Sequence, residues 1–275
     1  MATYFELLAL LGLVVTASRA ADAAAATDPD GQRFPDGTPA IAFAVNNFAG
    51  FDQIIRHPVS DITAFTVVGP QAANFTGMDF DPLASTLWAL DPVASRIGTV
   101  NQDTGAFTNG PLLPVRNYSG LAIDPIDGAF YVVAPGTNGS DIYLVDTSTG
   151  ATSLIASVVG TAFSAIAIDC AGRFYGYDSN AAANALYTIN LVSGTGTPVG
   201  PTNAVAASTS MDFDNSTGAL ITWLYTGAGN VAYGTINTTT GAFGLVATAA
   251  GRYEGAVRNA CTPPLPLIFA NGFES

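Results

Sequence analysis

Gly77-Met78-Asp79-Phe80-Asp81 returns, in changed letters but with the same order of features, as Gly120-Leu121-Ala122-Ile123-Asp124, Ala165-Ile166-Ala167-Ile168-Asp169 and Ser210-Met211-Asp212-Phe213-Asp214. Each copy is a small residue, a short apolar run and a closing Asp. The closing aspartates are spaced 43, 45 and 45 residues apart, and one more step of 45 reaches Asn259. That residue ends Gly255-Ala256-Val257-Arg258-Asn259, a degenerate fifth copy. A fixed interval of this length marks a repeat architecture in which one supersecondary unit is copied around or along the molecule.

Each anchor is followed by a turn, as in Pro82-Leu83-Ala84-Ser85 or Asn215-Ser216-Thr217-Gly218, and then by a second apolar run. Those runs are Thr86-Leu87-Trp88-Ala89-Leu90, Ala129-Phe130-Tyr131-Val132-Val133, Arg173-Phe174-Tyr175-Gly176-Tyr177 and Ala219-Leu220-Ile221-Thr222-Trp223. Aromatic and β-branched side chains suit a packed pleated surface. A third run ends at a Gly turn in every copy, at Gly105, Gly150, Gly194 and Gly241, where a tight hairpin demands positive φ. With a short fourth strand, each unit is a four-stranded antiparallel meander. Radial stacking of such sheets protects their edges, so the reading is an all-β propeller.

Four units are complete, and the fifth is split between the chain ends. Residues 41–45, 51–55 and 62–68 read as second, third and fourth strands lacking a first, and 255–259 reads as a first strand lacking the rest. Joined, they give a fifth blade closed by one C-terminal and three N-terminal strands. The domain is expected to span residues 41–260 and to be a monomer.

The strings Asp141-Ile142-Tyr143-Leu144-Val145-Asp146-Thr147-Ser148-Thr149-Gly150 and Gly120-Leu121-Ala122-Ile123-Asp124-Pro125 resemble the repeats of bacterial extracytoplasmic propellers of the DUF4394 and YncE-like kind. The resemblance implies the fold and lends no catalytic residues.

Leu7 to Val15 is apolar and too short to span a bilayer, and small residues follow it, so residues 1–23 read as a signal peptide and the protein as secreted or periplasmic. The segment before it carries Glu6 and no cation, which leaves a misplaced start or an ordinary buried helix as alternatives. Residues 24–40 read as a disordered linker. The tail, 261–275, runs from Pro263-Pro264 to Ile268-Phe269-Ala270-Asn271-Gly272-Phe273-Glu274 and resembles endings of some exported bacterial proteins. It reads either as a sorting or docking tag or as a tail packed on the domain. No membrane span is expected in the mature chain.

The 21 acidic residues against 8 basic ones, all Arg, give a formal charge of -13, which repels phosphate backbones and excludes nucleic acid as the expected partner. Cys170 and Cys261 are either one disulfide or two inert thiols.

Candidate chemistry is sparse. Asp81, Asp124, Asp169 and Asp214 recur at one end of each first strand, and such a ring could hold Ca²⁺. An Asp before a turn more often bonds its own turn, which is the favoured reading, so no cofactor is expected. Three charges break the repeat: Asp79 and Asp212 stand where Ala122 and Ala167 stand elsewhere, and Arg258 falls, at the 45-residue step, where Ile or Phe is usual. Together they form either an ionic latch across the ring closure or a ligand clamp. His57 is the only histidine, and Arg56-His57-Pro58 reads as a solvated loop. Trp88, Tyr131, Tyr175, Tyr177 and Trp223 suit inter-blade packing ahead of sugar stacking. The expected function is an exported, non-catalytic module binding a glycan or protein. The alternatives are a propeller lyase or hydrolase, Ca-dependent at the channel mouth, and a surface scaffold whose tail docks export machinery.

Overall fold

The computed structural model describes residues 40–47, 53–70, 74–114, 116–180, 184–204, 206, 208–227, 229–258 and 261. The proposed signal peptide and linker up to residue 39, and the tail from residue 262, lie outside them.

Four sheets are formed by consecutive strands. They are β4 (Gly77–Asp81), β5 (Thr86–Asp91), β6 (Arg96–Val100) and β7 (Phe107–Leu112); β8 (Gly120–Ile123), β9 (Phe130–Pro135), β10 (Gly139–Val145) and β11 (Thr152–Val159); β12 (Phe163–Ile168), β13 (Phe174–Asp178), β14 (Ala185–Asn190) and β15 (Thr195–Pro201); β16 (Ser208–Asp214), β17 (Ala219–Tyr225), β18 (Asn230–Ile236) and β19 (Phe243–Ala250). The fifth sheet has the order β20-β1-β2-β3, joining β20 (Tyr253–Arg258) to β1 (Ile41–Asn46), β2 (Gln53–Pro58) and β3 (Thr66–Pro70). All neighbours pair antiparallel, and Ile41 opposite Arg258 through Asn46 opposite Tyr253 fixes the closing register. The chain is therefore a five-bladed β-propeller in which first strands β4, β8, β12, β16 and β20 contact one another in a ring. Among the described residues no helix is long and apolar enough to cross a membrane.

In the N-terminal part the strands lie slightly further along than the sequence suggests, at 53–58 and 66–70. His57 thereby sits inside β2 and is buried, not solvated in a loop. Its Nδ1–H donates to the Pro58 carbonyl at 2.8 Å, and its ring meets Trp223 and Tyr233 edge-on.

Packing lies between blades. Each sheet buries both faces against its neighbours, which gives five apolar clusters, one at each interface. Aromatic pairs fill the interfaces: Trp88 with Phe130 and Tyr131 with Phe174 join equivalent second-strand positions at centroid distances of 4.9 and 4.8 Å, and Tyr175, where the equivalent partner is Leu220, meets Phe213 of the first strand at 5.3 Å. Such pairs contribute about 0.5–1.5 kcal/mol each beyond area burial. Trp223, Tyr175 and Tyr177 are fully enclosed, so these rings form core.

The hairpin between third and fourth strands shows why the chain spells Asx-x-x-x-Gly. Asn101, Asp146, Asn190 and Asn237 each accept backbone amides two residues on, and the glycines close the turn at φ of 65 to 80°. Gly150 is required twice over, because a side chain there would also collide with the Leu112 carbonyl of the preceding blade.

Cys170 and Cys261 form a disulfide with Cα atoms 5.5 Å apart. Cys170 follows β12 and Cys261 follows β20, so the bridge joins two blades that are not neighbours in the ring.

Candidate functional site around the propeller axis

The backbone amides turned toward the axis have no strand partner on that side, and the sequence supplies side-chain oxygens for them. The Ile123 amide of β8 donates to Asp79 Oδ2 at 2.6 Å, and the Val257 amide of β20 donates to Asp212 Oδ2 at 2.6 Å. The other oxygen of each carboxyl accepts the amide of the next residue, Phe80 at 2.6 Å and Phe213 at 2.7 Å. The two carboxyls also lie close enough to shift each other's ionisation. Burial raises the Asp79 carboxyl well above the ordinary range, and the facing Asp212 raises it further. Burial lifts Asp212 to about 7. Two carboxyls in one dry site share a proton, because ionising both there is costly.

These contacts also correct the repeat. Val257 receives Asp212 as Ile123 receives Asp79, so Val257 stands level with Phe80, Ile123, Ile168 and Phe213. The last interval is therefore 44 residues, not 45. Arg258, opposite the first residue of β1, stands level with Asp81 and Asp214, which are likewise opposite the first residues of β5 and β17. The structure thus brings Asp79 and Asp212 together and sets Arg258 two residues beyond their level, at the mouth, where its guanidinium donates to Gln102 Oε1 at 3.3 Å.

The recurrent aspartates bind their own turns. Asp81 Oδ1 accepts the Leu83 and Ala84 amides, Asp124 that of Ile126, Asp169 those of Ala171 and Arg173, and Asp214 the Ser216 amide and hydroxyl. Asp169 also pairs with Arg173 at 2.6 Å. Among the described residues no three His, Cys, Asp or Glu side chains are grouped to hold a metal ion.

Sequence reasoning missed Glu254. At the opposite end of the axis the four complete blades present Thr76, Ser119, Ser164 and Thr209, followed by Gly77, Gly120, Ala165 and Ser210. With the corrected interval, Glu254 falls at the level of those small residues and lines the same axial cavity of about 10 Å³. It is 2% exposed, and burial raises its carboxyl to about 8 although Arg252 acts against the shift. Arg252 Nη2 is 3.7 Å from Glu254 Oε1, too long for a firm hydrogen bond. Only a one-residue gap in the repeat would have exposed this position in the sequence.

The cavity admits about one water-sized group. Exposed aliphatic side chains occur at both ends of the ring: Val93, Leu112 and Val159 at the end of Glu254 and, at the Asp-terminated ends, Leu83 and Ile126, 61% and 57% exposed, and fully exposed Val192. The exposed Asp103, Asp127 and Asp146 belong to turns at the Asp-terminated ends.

No protein-family model matches the chain, and no curated protein matches it in sequence. Solved structures do match it in shape. A chain of the nidogen/laminin complex superposes with a TM-score of 0.55 at 14% identity, covering 82% of this chain and all of that one. TolB from Acinetobacter baumannii gives a TM-score of 0.51 at 12% identity, covering 81% of this chain and 67% of TolB. The fold is that of the β-propellers. At such identities the likeness carries architecture alone.

Proposed function

We propose that the protein is an exported propeller of the DUF4394 and YncE-like kind that works as a binding module, presenting its turn-lined face to a protein partner. The observation that carries this reading is the composition of that face. Exposed aliphatic Leu83, Ile126 and Val192 stand among exposed carboxylates on turns that are individually hydrogen-bonded. Rigid turns lose little entropy on binding, and apolar side chains within a polar surround are the usual composition of a recognition patch. The formal charge of -13 favours a basic partner. The axial cavity of about 10 Å³ is too small for a sugar or peptide, which leaves the outer faces.

Export is supported by the apolar N-terminal segment and by the disulfide, which persists in oxidising compartments.

The test compares immobilised wild type with Leu83→Glu/Ile126→Glu on proteins and glycans from the surrounding medium. Saturable binding of one protein, lost in the variant at unchanged melting temperature, is expected. Binding to glycans alone, or equal binding by the variant, would refute the reading.

A further inference from the structure

We propose that the axial cavity beside Glu254 is a binding site for a single monovalent metal cation, with Glu254 as its one anionic ligand. The site is distinct from the turn-lined face and from the recurrent aspartates.

The first ground is an imbalance of hydrogen-bonding groups. Glu254 Oε2 is buried with no hydrogen-bond partner among the described residues, and so is Ser164 Oγ, which lines the same cavity. A buried carboxylate oxygen without a partner costs several kcal/mol in general, so an unpartnered oxygen on a residue that lines a cavity points to an occupant.

The second ground is what the surrounding groups can still offer. The Thr76 hydroxyl donates to the Tyr118 carbonyl at 3.0 Å, and the Ser119 hydroxyl donates to the Phe163 carbonyl at 2.8 Å. The Ser210 hydroxyl donates to the Gly255 carbonyl at 2.9 Å and accepts the Gly255 amide at 3.0 Å. Their protons are committed to stitching neighbouring first strands, so Thr76 and Ser119 have only oxygen lone pairs left to give. Hydroxyl oxygens plus one carboxylate make a hard, oxygen-only ligand set.

Size and charge then select the ion. A cavity of about 10 Å³ holds one water-sized particle and excludes organic ammonium groups. The site has one carboxylate, and the Arg252 guanidinium already lies 3.7 Å from its other oxygen, so a +1 ion leaves less uncompensated charge in the cavity than a +2 ion. Transition metals are disfavoured by the absence of imidazole and thiolate at the cavity. Sodium and potassium fit both conditions.

The experiment uses the full chain at about pH 9, where the carboxyl is ionised without help. Thermal unfolding is followed in sodium, potassium, calcium or choline chloride at equal ionic strength. A rise of roughly 2–4 °C in sodium or potassium over choline, at about ten times the dissociation constant, is expected for wild type and absent in Glu254→Gln. Equal melting temperatures in all four salts would overturn the proposal and leave an ordinary internal water as the occupant. Stabilisation by calcium alone would overturn the monovalent assignment. If Glu254→Gln does not fold, ²³Na relaxation of wild type decides: broadening that potassium competes away supports the site, and unbroadened sodium refutes it.

Discussion

Asp79 and Asp212 come from blades that are not neighbours, yet their carboxyls lie close enough across the axis to shift each other's ionisation, and each also accepts a hydrogen bond from an amide of the next first strand, at Ile123 and Val257. Four of the five first strands are tied by this one pair. Its polarity is matched by the backbone groups it serves, which is why charge inside a dry ring is tolerated.

The pair sets the alkaline limb of stability. Asp79, Asp212 and Glu254 all have folded-state values above their unfolded ones, with Asp212 at about 7 and Glu254 at about 8. The folded state therefore binds more protons, and its advantage, complete in acid, is lost as pH rises through those values. His57 opposes this only below about 6.5, where its unfolded form charges. Between about pH 6.5 and 8.5 we expect unfolding free energy to fall by about 1–3 kcal/mol, and to fall less in Asp79→Asn. Urea midpoints across that range measure it.

His57 governs part of the acid limb. Burial lowers it to about 4, against the Pro58 hydrogen bond and Asp61, so the folded state resists the proton that the unfolded chain accepts. Its contribution is present above about 6.5 and lost as pH falls toward 4. His57→Phe, which keeps an aromatic ring against Trp223 and Tyr233, should retain more of its stability between those pH values than wild type.

The disulfide closes a sequence span of 91 residues. In the chain-entropy picture a loop of that size stabilises by roughly 4–5 kcal/mol, and measured bridges commonly give about 2–4. We expect Cys170→Ser/Cys261→Ser to fold with a loss in that lower range, and reductant to leave the double variant unaffected. Denaturant unfolding with and without reductant checks both.

Gly255 lies where the closing strand passes over Trp223, and a Cβ there would come within 2.6 Å of the indole. Gly255→Val should cost about 1–3 kcal/mol by overpacking, more than Gly218→Val, whose Cβ would meet nothing within 4 Å but whose φ of 75° still strains the turn. Thermal unfolding of the two variants ranks them.

The repeat was legible because each of the four blades formed by consecutive strands uses the same local devices: an Asp binding the turn after the first strand, aromatics on the second, and Asx with Gly at the last hairpin. Joining both chain ends into one blade was legible as missing strands. The axis was not. The interval to β20 shortens by one, so counting by 45 placed Arg258 on the wrong face and left Glu254 outside the copy. His57 misled because Pro58 suggests a turn, whereas it only ends a strand beside a deep interface. The pairing of Cys170 with Cys261 was not legible because both lie beyond the ends of first strands, outside the repeated positions.

The most direct test of the closed, carboxyl-held ring is native-state hydrogen exchange at the Ile123 and Val257 amides, which face the axis and depend on Asp79 and Asp212 for their partners. Exchange of both at the rate of global unfolding is the expected result. Fast exchange of either, at the rate of an open sheet edge, would contradict it.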